Sequence, residues 1–334
     1  MEKINKFLVV GLGSMGKRRI RNLKALGFDE IAGFDLRQDR LDESSSQYQI
    51  KGFKSFDEAL NSFNPSAVII STSPKYHMDY AFRCEELKLP TFIEASVTDA
   101  EKVLALAQES MQSGVVIAPS CTMLFYPGPK KIKDLLSSGT IGKVLNINYH
   151  TGQFLPDWHP WEDISEFYVS NPETGGAREI VPFELTWLVD LLGKPISLSC
   201  VKEKLSDMDA PIDDIYHCML RFPANVLCNL TVEVLSRPKA TRELRIIGSK
   251  GLLLWNDEDN VVRWCTSEDN NWKRFNLDRG TIQQDYINPE EPYIDEIKCF
   301  IEAAKYGDQS LFPSNLNKDY EILQTLISLE RLAQ

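Results

Sequence analysis

Three glycines with an informative spacing follow a short apolar run near the start of the chain. At this spacing Gly11 permits a sharp turn at the end of a buried strand, Gly13 leaves the backbone open to a pyrophosphate, and Gly16 lets the next helix pack closely on the strand. The backbone N–H groups of Ser14 and Met15, at the start of that helix, would face the phosphates. The spacing therefore predicts a dinucleotide site.

An acidic residue ends the next predicted strand. Asp35 lies 19 residues after Gly16, close to the roughly 20 residues that separate such an acid from the glycines. Its carboxylate would accept hydrogen bonds from the adenosine ribose hydroxyls and would repel a 2′-phosphate. This favours NAD as the cofactor, whereas Arg37, just beyond the acid, leaves NADP as an alternative.

Basic side chains crowd the first turns of the helix that follows the glycines. They are Lys17, Arg18, Arg19 and Arg21. Positive charge is unfavourable at a helix N-terminus because of the helix dipole. Two interpretations stay open: these residues help to hold an anion, or they form a solvated basic face.

Composition argues against several classes of partner. The 334 residues suffice for two domains, and 48 acidic against 37 basic residues give a net charge of −11. Such a charge repels phosphates, so we expect no nucleic-acid partner. Seven scattered cysteines without a C-x-x-C pair predict neither a disulfide framework nor a metal site. No apolar stretch approaches the length of a membrane span, so we expect a cytoplasmic protein.

Strands and helices alternate through the first third of the chain. This alternation predicts an α/β fold with a doubly wound parallel sheet, its strands joined by right-handed crossovers. Ligands of such sheets bind beyond the carboxyl ends of the strands. The segments expected around that crevice are residues 11–16, 35, 72–77, 94–96 and 120–122.

The order of these segments resembles the Gfo/Idh/MocA family of NAD(P)-dependent sugar oxidoreductases over essentially the whole chain. The family's T-P-x-x-x-H segment looks like T-S-P-K-Y-H at residues 72–77, and its E-K-P segment is matched by E-A-S at residues 94–96. The resemblance implies a Rossmann domain. The further cofactor-binding residues that it implies are Thr72, Ser73, His77 and Glu94.

Two segments depart from the family pattern in this half of the chain. Ala95 stands where the family has a lysine near the nicotinamide and the reacting sugar hydroxyl. Thr122 and Met123 stand where the family's N-R-x-F-x-P segment has its asparagine and arginine. Because Ala95 can neither carry a charge nor move a proton, the resemblance supports the family's fold better than it supports the family's chemistry.

Short turns separate the strands of the second half, which predicts a mostly antiparallel open sheet with helices on one face.

The predicted domains are an NAD(P)-binding Rossmann domain at 1–122, a substrate and oligomerisation α+β domain at 123–316, and a helix at 317–334 that packs back on the first domain. The resemblance implies a homodimer or homotetramer that forms through the open face of the sheet.

A segment rich in tryptophan and proline lies in the second domain, at residues 153–163. The indole faces of Trp158 and Trp161 suit stacking on sugar C–H faces, and His159 offers a proton-transfer group. The alternative interpretation is a loop that simply packs between domains.

Ionisable residues cluster where the resemblance places the family's G-G-x-x-x-D-x-G-x-H helix entrance. The family's histidine position falls on Glu184, or on Phe183 with a one-residue shift, and its aspartate position falls on Ile180. A buried glutamate can act as a general base if desolvation raises its pKa. Arg178 and Glu179 are the other ionisable candidates, and a structural ion pair between Arg178 and Glu184 is the competing interpretation.

These observations predict an NAD(P)-dependent oxidoreductase that acts on a sugar, amino sugar or nucleotide sugar. The residues predicted to transfer the proton are Glu184 and His159, and those predicted to position the substrate are Trp158, Trp161, Arg178 and Glu179. Because the family's lysine and histidine are both missing, two alternatives stay open. One is a cofactor-binding partner or sensor without turnover, and the other is a lyase or glycosidase that retains NAD.

Overall fold

The chain forms two compact units. The computed structural model describes residues 4–158, 163–166, 168–256, 258–284 and 286–333. Unit 1 comprises Met1–Thr122 and Glu290–Tyr320, and unit 2 comprises Met123–Pro289 and Glu321–Gln334.

Unit 1 contains a six-stranded parallel sheet. Its elements up to residue 122 are β1 (Phe7–Val10), α1 (Ser14–Ala25), β2 (Ile31–Phe34), α2 (Gln38–Tyr48), β3 (Lys51–Phe53), α3 (Phe56–Phe63), β4 (Ala67–Ile70), α4 (His77–Glu86), β5 (Thr91–Ile93), α5 (Ala100–Ser113) and β6 (Ile117–Pro119). The strand order is β3-β2-β1-β4-β5-β6, with every pairing parallel. This confirms the predicted doubly wound sheet, whose switch point lies between β1 and β4.

The central strands are apolar throughout because both faces of the sheet are covered. Every residue of β1 and of β4 is fully buried. The sequence patterns did not predict α2 or β3. The helix α2 buries only Leu41, Ser44 and Tyr48, and β3 has three residues, so neither has a strong apolar period.

Unit 2 contains an eight-stranded, mostly antiparallel sheet. Its elements up to residue 289 are α6 (Pro127–Ser137), β7 (Val144–Gly152), α7 (Ala177–Leu192), β8 (Ser197–Glu203), β9 (Ile215–Phe222), β10 (Val226–Glu233), β11 (Thr241–Gly248), β12 (Gly251–Asn256), β13 (Val261–Thr266) and β14 (Lys273–Asn276). The strand order is β14-β13-β12-β11-β7-β10-β9-β8, and β7 and β10 pair in parallel. This confirms the predicted second sheet, to which the structure adds the exposed strand β14.

One face of this sheet packs on helices. Val181, Leu185 and Leu188 of α7 join a core formed with the inward-facing residues of the strands, such as Tyr149 and Trp255. Along each strand, residues of the packed face alternate with residues of the opposite face. The opposite face carries polar residues and a few exposed apolar ones.

The last two helices return to different units. The helix α8 (Glu291–Tyr306) belongs to unit 1, where Phe300 packs against Phe92 with ring centroids 5.8 Å apart. The helix α9 (Leu316–Leu332) begins in unit 1, but Leu326 and Leu329 lie in the core of unit 2. The structure thus differs from the predicted boundaries, which assign 290–316 to the second domain and pack 317–334 on the first.

The seven cysteines all lie in the described part of the chain, and each is a free thiol. Among the described residues, no helix combines the length and the apolar character that a membrane crossing requires.

Candidate functional site

The glycine turn joins β1 to α1 in unit 1. Gly11 has φ +90°, and a Cβ there would lie 2.6 Å from the carbonyl oxygen of Ser71. A Cβ on Gly16 would lie 1.8 Å from the carbonyl oxygen of Gly11. Both positions therefore require glycine for the fold itself.

Gly13 differs from the other two glycines. It is the N-cap of α1, it is half-buried, and the nearest atom to an added Cβ would be Arg40 Nη1 at 3.5 Å. Ser14 and Met15 follow it, partly exposed, in a first helical turn that carries no acidic residue. The open side of Gly13 is where a pyrophosphate would approach.

Asp35 is fixed beside this turn by backbone hydrogen bonds. The N–H of Leu12 donates to Oδ2 at 2.8 Å, and the N–H of Arg37 donates to Oδ1 at 2.9 Å. These bonds hold the carboxylate next to the glycines, as the ribose role requires.

A second arginine approaches the turn, and the sequence patterns did not identify it. Arg40 Nη1 lies 3.9 Å from Asp35 Oδ2 and beside Gly13. The guanidinium of Arg37 instead contacts Asp39, with Nε 3.1 Å from Oδ1. The only feature of the sequence that pointed to Arg40 was its place as a basic residue about one helical turn beyond Arg37.

Arg18, Arg19 and Arg21 of α1 form buried or partly buried ion pairs, so neither of the predicted roles describes them. Arg18 Nε and Arg21 Nη2 lie 3.1 and 2.8 Å from Glu290 Oε1, and Arg18 is 3% exposed. Lys17 binds Glu43 at 2.7 Å. The positive charges at the start of this helix are compensated by carboxylates within unit 1.

Glu94 belongs to a buried network at the carboxyl ends of β5 and β6. Arg19, which is fully buried, donates to both oxygens of Glu94 at 2.5 and 2.9 Å and to Glu296 at 2.9 Å. Glu296 also accepts from the N–H of Cys121 at 2.6 Å and from the Thr122 hydroxyl at 2.8 Å. Burial raises the pKa of Glu296, and Arg19 opposes that rise. Glu94 therefore anchors the E-A-S segment through its side chain.

His77 shapes the turn after β4. Its Nε2 atom lies 2.9 Å from the carbonyl oxygen of Thr72. Burial lowers the pKa of His77, so the ring is neutral and Nε2 carries the donated proton. Thr72 and Ser73 remain half-buried at the strand end. The predicted cofactor-binding residues of unit 1 thus lie where the parallel strands end, and an open glycine beside a fixed carboxylate fits a dinucleotide.

Glu184 lies inside unit 2 and is 0% exposed. Its Oε2 accepts from the Tyr149 hydroxyl at 2.6 Å and from Trp187 Nε1 at 3.1 Å, and Arg242 Nη1 lies 2.8 Å from Oε1. Burial keeps the pKa of Tyr149 well above its ordinary value, so the phenol remains a donor. This geometry favours a structural carboxylate over the predicted general base.

The predicted ion pair between Arg178 and Glu184 is wrong. Arg178 Nε instead lies 2.6 Å from Glu330 Oε1, and Glu330 also accepts from the Tyr216 hydroxyl at 3.2 Å. Arg242, 58 residues from Glu184 in sequence, supplies the guanidinium. No short-range spacing could have identified that partner.

Glu179 occupies the first turn of α7 and has a different environment. The Tyr168 hydroxyl donates to its Oε1 at 2.7 Å, whereas the buried Oε2 has no hydrogen-bond partner among the described residues. Burial raises the pKa of Glu179 to about 7, and the Tyr168 bond opposes that rise. The backbone beside Tyr168 lies against the backbone that precedes α7, since a Cβ on Gly175 would lie 1.8 Å from the carbonyl oxygen of Val169. This contact places Tyr168 next to the helix that carries Glu179.

Trp158 lies in the same part of unit 2 as Tyr168. It packs against a small cluster that contains Leu155 and Val169, and Tyr168 packs there as well. Its buried Nε1 has no hydrogen-bond partner within the described ranges. The other predicted residues of this segment, His159 and Trp161, lie outside the described residues.

Two family models match the chain and together span most of it. The model described as "Oxidoreductase family, NAD-binding Rossmann fold" matches residues 5–117. The model described as "GFO/IDH/MocA C-terminal domain" matches residues 130–254.

Individual proteins of known activity are also similar. Myo-inositol 2-dehydrogenase of Thermotoga maritima is 30% identical over 139 residues, which are 40% of this chain and 41% of that protein. The match thus spans about two fifths of the relative's length.

Solved structures resemble the whole chain. Levoglucosan dehydrogenase in complex with NADH superposes with a TM-score of 0.82 at 14% identity, covering 98% of this chain and 96% of that one. UDP-N-acetylglucosamine 3-dehydrogenase from Acidithiobacillus ferrooxidans gives 0.77 at 17% identity, covering 98% and 97%. At these identities the likeness concerns the fold alone.

Proposed function

Because the chain belongs to the Gfo/Idh/MocA family of NAD-binding oxidoreductases, we propose that it is a dehydrogenase or reductase of a sugar-type substrate. The reaction interconverts a ring carbinol and its ketone. NAD, when bound, supplies the hydride acceptor or donor.

The glycine turn with its fixed acid is the observation that carries this proposal. Gly13 and the start of α1 would hold the pyrophosphate, and Asp35 would hold the adenosine ribose. Arg40 would lie beside the phosphates and compensate their charge. The network around Glu94 would keep the neighbouring E-A-S segment in place.

Side chains of unit 2 would orient the substrate. Trp158 and Glu179 offer a hydrogen-bond donor and an acceptor that nothing else in the described chain engages. An aromatic ring beside polar groups suits a polyol, which presents hydroxyls and C–H faces. The relatives named for inositol, levoglucosan and a UDP-sugar favour the same substrate class. His159 and Trp161 remain predicted members of this set, and Arg178, held by Glu330, is not included.

Calorimetric titration with NAD and NADP tests which cofactor binds. Turnover is tested by the absorbance of reduced nicotinamide, measured over a panel of inositols, anhydrosugars, amino sugars and nucleotide sugars. We expect NAD to bind more tightly than NADP and at least one sugar to yield NADH. Sugar cleavage without net NADH would indicate the lyase or glycosidase instead. Absence of NAD binding would contradict the proposal.

We also propose that the open face of the unit 2 sheet pairs with a second copy of the chain. Asn148 and Asn229 are hydrogen-bonded across the strands at 3.0 Å, and Met219, 64% exposed, lies beside them in register. A shallow concavity of about 670 Å³ crosses this face. Exposed apolar groups among polar ladders are typical of a surface covered by a partner.

A further inference from the structure

We propose that Glu179 is the proton-transfer group of the reaction, held in place by a hydrogen bond from the Tyr168 hydroxyl. This inference rests on the proposed function. It assigns a step for which the sequence offers neither a lysine at residue 95 nor a histidine at residue 184.

The hydrogen bonds of Glu179 leave one oxygen available. Tyr168 occupies Oε1 at 2.7 Å, and Oε2 is buried without a donor among the described residues. A buried carboxylate oxygen without a partner is costly, and the cost is removed when a ligand donates to it or when the group takes a proton. Glu179 is therefore suited both to accept a substrate hydroxyl and to hold its proton.

The charged groups around the start of α7 are already paired. Arg178 binds Glu330, and Glu184 binds Arg242. Asp213, whose carbonyl oxygen lies against Gly176, is paired through its carboxylate with Lys202. In the part of the chain that the structure describes, Tyr168 is the titratable group that acts on Glu179. The carboxyl of Glu179 thus keeps a pKa of about 7, which suits proton exchange near neutral pH.

Oxidation of the carbinol removes a proton from its oxygen and a hydride from its carbon. The substrate O–H bond breaks and its proton forms a new O–H bond at Glu179 Oε2. The carbon–hydrogen bond would break with its electron pair, which would leave as the hydride that NAD accepts when bound, and a carbonyl would form. In the reverse direction protonated Glu179 returns the proton to the carbonyl oxygen.

Titration of the protein without cofactor or substrate provides a first test. In protein that carries glutamate labelled with ¹³C at the carboxyl carbon, the Glu179 signal is the one lost in Glu179→Gln. We expect it to titrate near pH 7 in the wild type and at higher pH in Tyr168→Phe. The hydrogen bond that this substitution removes stabilises the ionised carboxylate, so its loss raises the pKa of Glu179. Titration near the ordinary value of about 4.3 would overturn the proposal.

The pH profile of turnover provides the second test. Oxidation needs ionised Glu179, so kcat should rise with pH to a plateau above about 7 and the rise should move to higher pH in Tyr168→Phe. Glu179→Gln should lower kcat about 10²-fold while NAD affinity is kept. The control Glu173→Gln changes an exposed glutamate before the same helix and should leave kcat unchanged.

The outcomes separate the inference from the function on which it rests. If the wild type oxidises a sugar and Glu179→Gln does so equally well, Glu179 is not the proton-transfer group. If the wild type binds NAD but no substrate is oxidised, the proposed function fails. The carboxyl titration still decides whether Glu179 holds a proton at neutral pH.

Discussion

Gly13 and Gly16 belong to one motif but have different physical reasons for being glycine. An added Cβ at residue 16 would overlap the Gly11 carbonyl oxygen, at 1.8 Å. At residue 13 it would meet only the flexible end of Arg40 at 3.5 Å, in a backbone conformation with φ −69° that any residue adopts. Gly16 thus serves the fold of the free protein, whereas Gly13 leaves open the space that the proposed pyrophosphate would occupy.

This difference predicts opposite outcomes for two small substitutions. Gly13→Ala should change the free energy of unfolding by less than about 1 kcal/mol and weaken NAD binding at least about tenfold, because the methyl group occupies the path of the pyrophosphate. Gly16→Ala should destabilise unit 1 by about 3 kcal/mol, the upper end of the typical range for an overpacked core site. Urea unfolding and calorimetric NAD titration measure both quantities. Unchanged NAD binding in Gly13→Ala would contradict the dinucleotide site.

The helix α7 carries two glutamates with different environments. Glu184, midway along the helix, is fully buried and has Tyr149, Trp187 and Arg242 as partners. Glu179, in the first turn, keeps one oxygen unpartnered. Removing one partner of a buried ion pair is strongly destabilising because the other charge is left uncompensated. On this helix we therefore expect Glu184 to act on stability, and Glu179 is the residue that we propose for the chemistry.

Glu184→Gln should accordingly act on stability. We expect a loss of about 3–5 kcal/mol in the free energy of unfolding, because the guanidinium of Arg242 loses its buried counter-charge. Asp190→Asn on the same helix is the control. Its partner Lys133 is largely exposed, so the loss should stay below about 1 kcal/mol. A stable Glu184→Gln protein with a kcat reduced about 10²-fold would instead restore Glu184 as a general base.

At the scale of the whole molecule, the chain passes from unit 1 to unit 2, returns to unit 1 through α8, and ends in unit 2 with α9. Neither unit is a continuous stretch of sequence. The buried Arg19 of α1 depends on Glu296 of α8, 277 residues away. A truncation before residue 290 would leave that guanidinium with Glu94 alone.

The proposed assembly also belongs to this scale. Met219→Glu places a charge on the open face of the unit 2 sheet, where a second copy would bury it, so we expect dissociation to monomers in sedimentation velocity. Met111→Glu is the matched control, since Met111 is 73% exposed on α5 of unit 1. An unchanged sedimentation coefficient for Met219→Glu would exclude this face as the interface.

The sequence by itself determined the dinucleotide turn, the parallel sheet and the position of Asp35, because these depend on glycine spacing and on apolar runs that are local along the chain. It also identified Trp158 as a candidate from its residue type, and Glu179 from its place at the helix entrance that the family resemblance indicates. Only the tertiary structure decided which carboxylates have partners. The guanidinium beside Glu184 comes from β11, and the carboxylates that compensate the basic residues of α1 come partly from α8 and the residue before it. Burial and long-range pairing set those environments, and both exist only once distant segments of the chain have packed together.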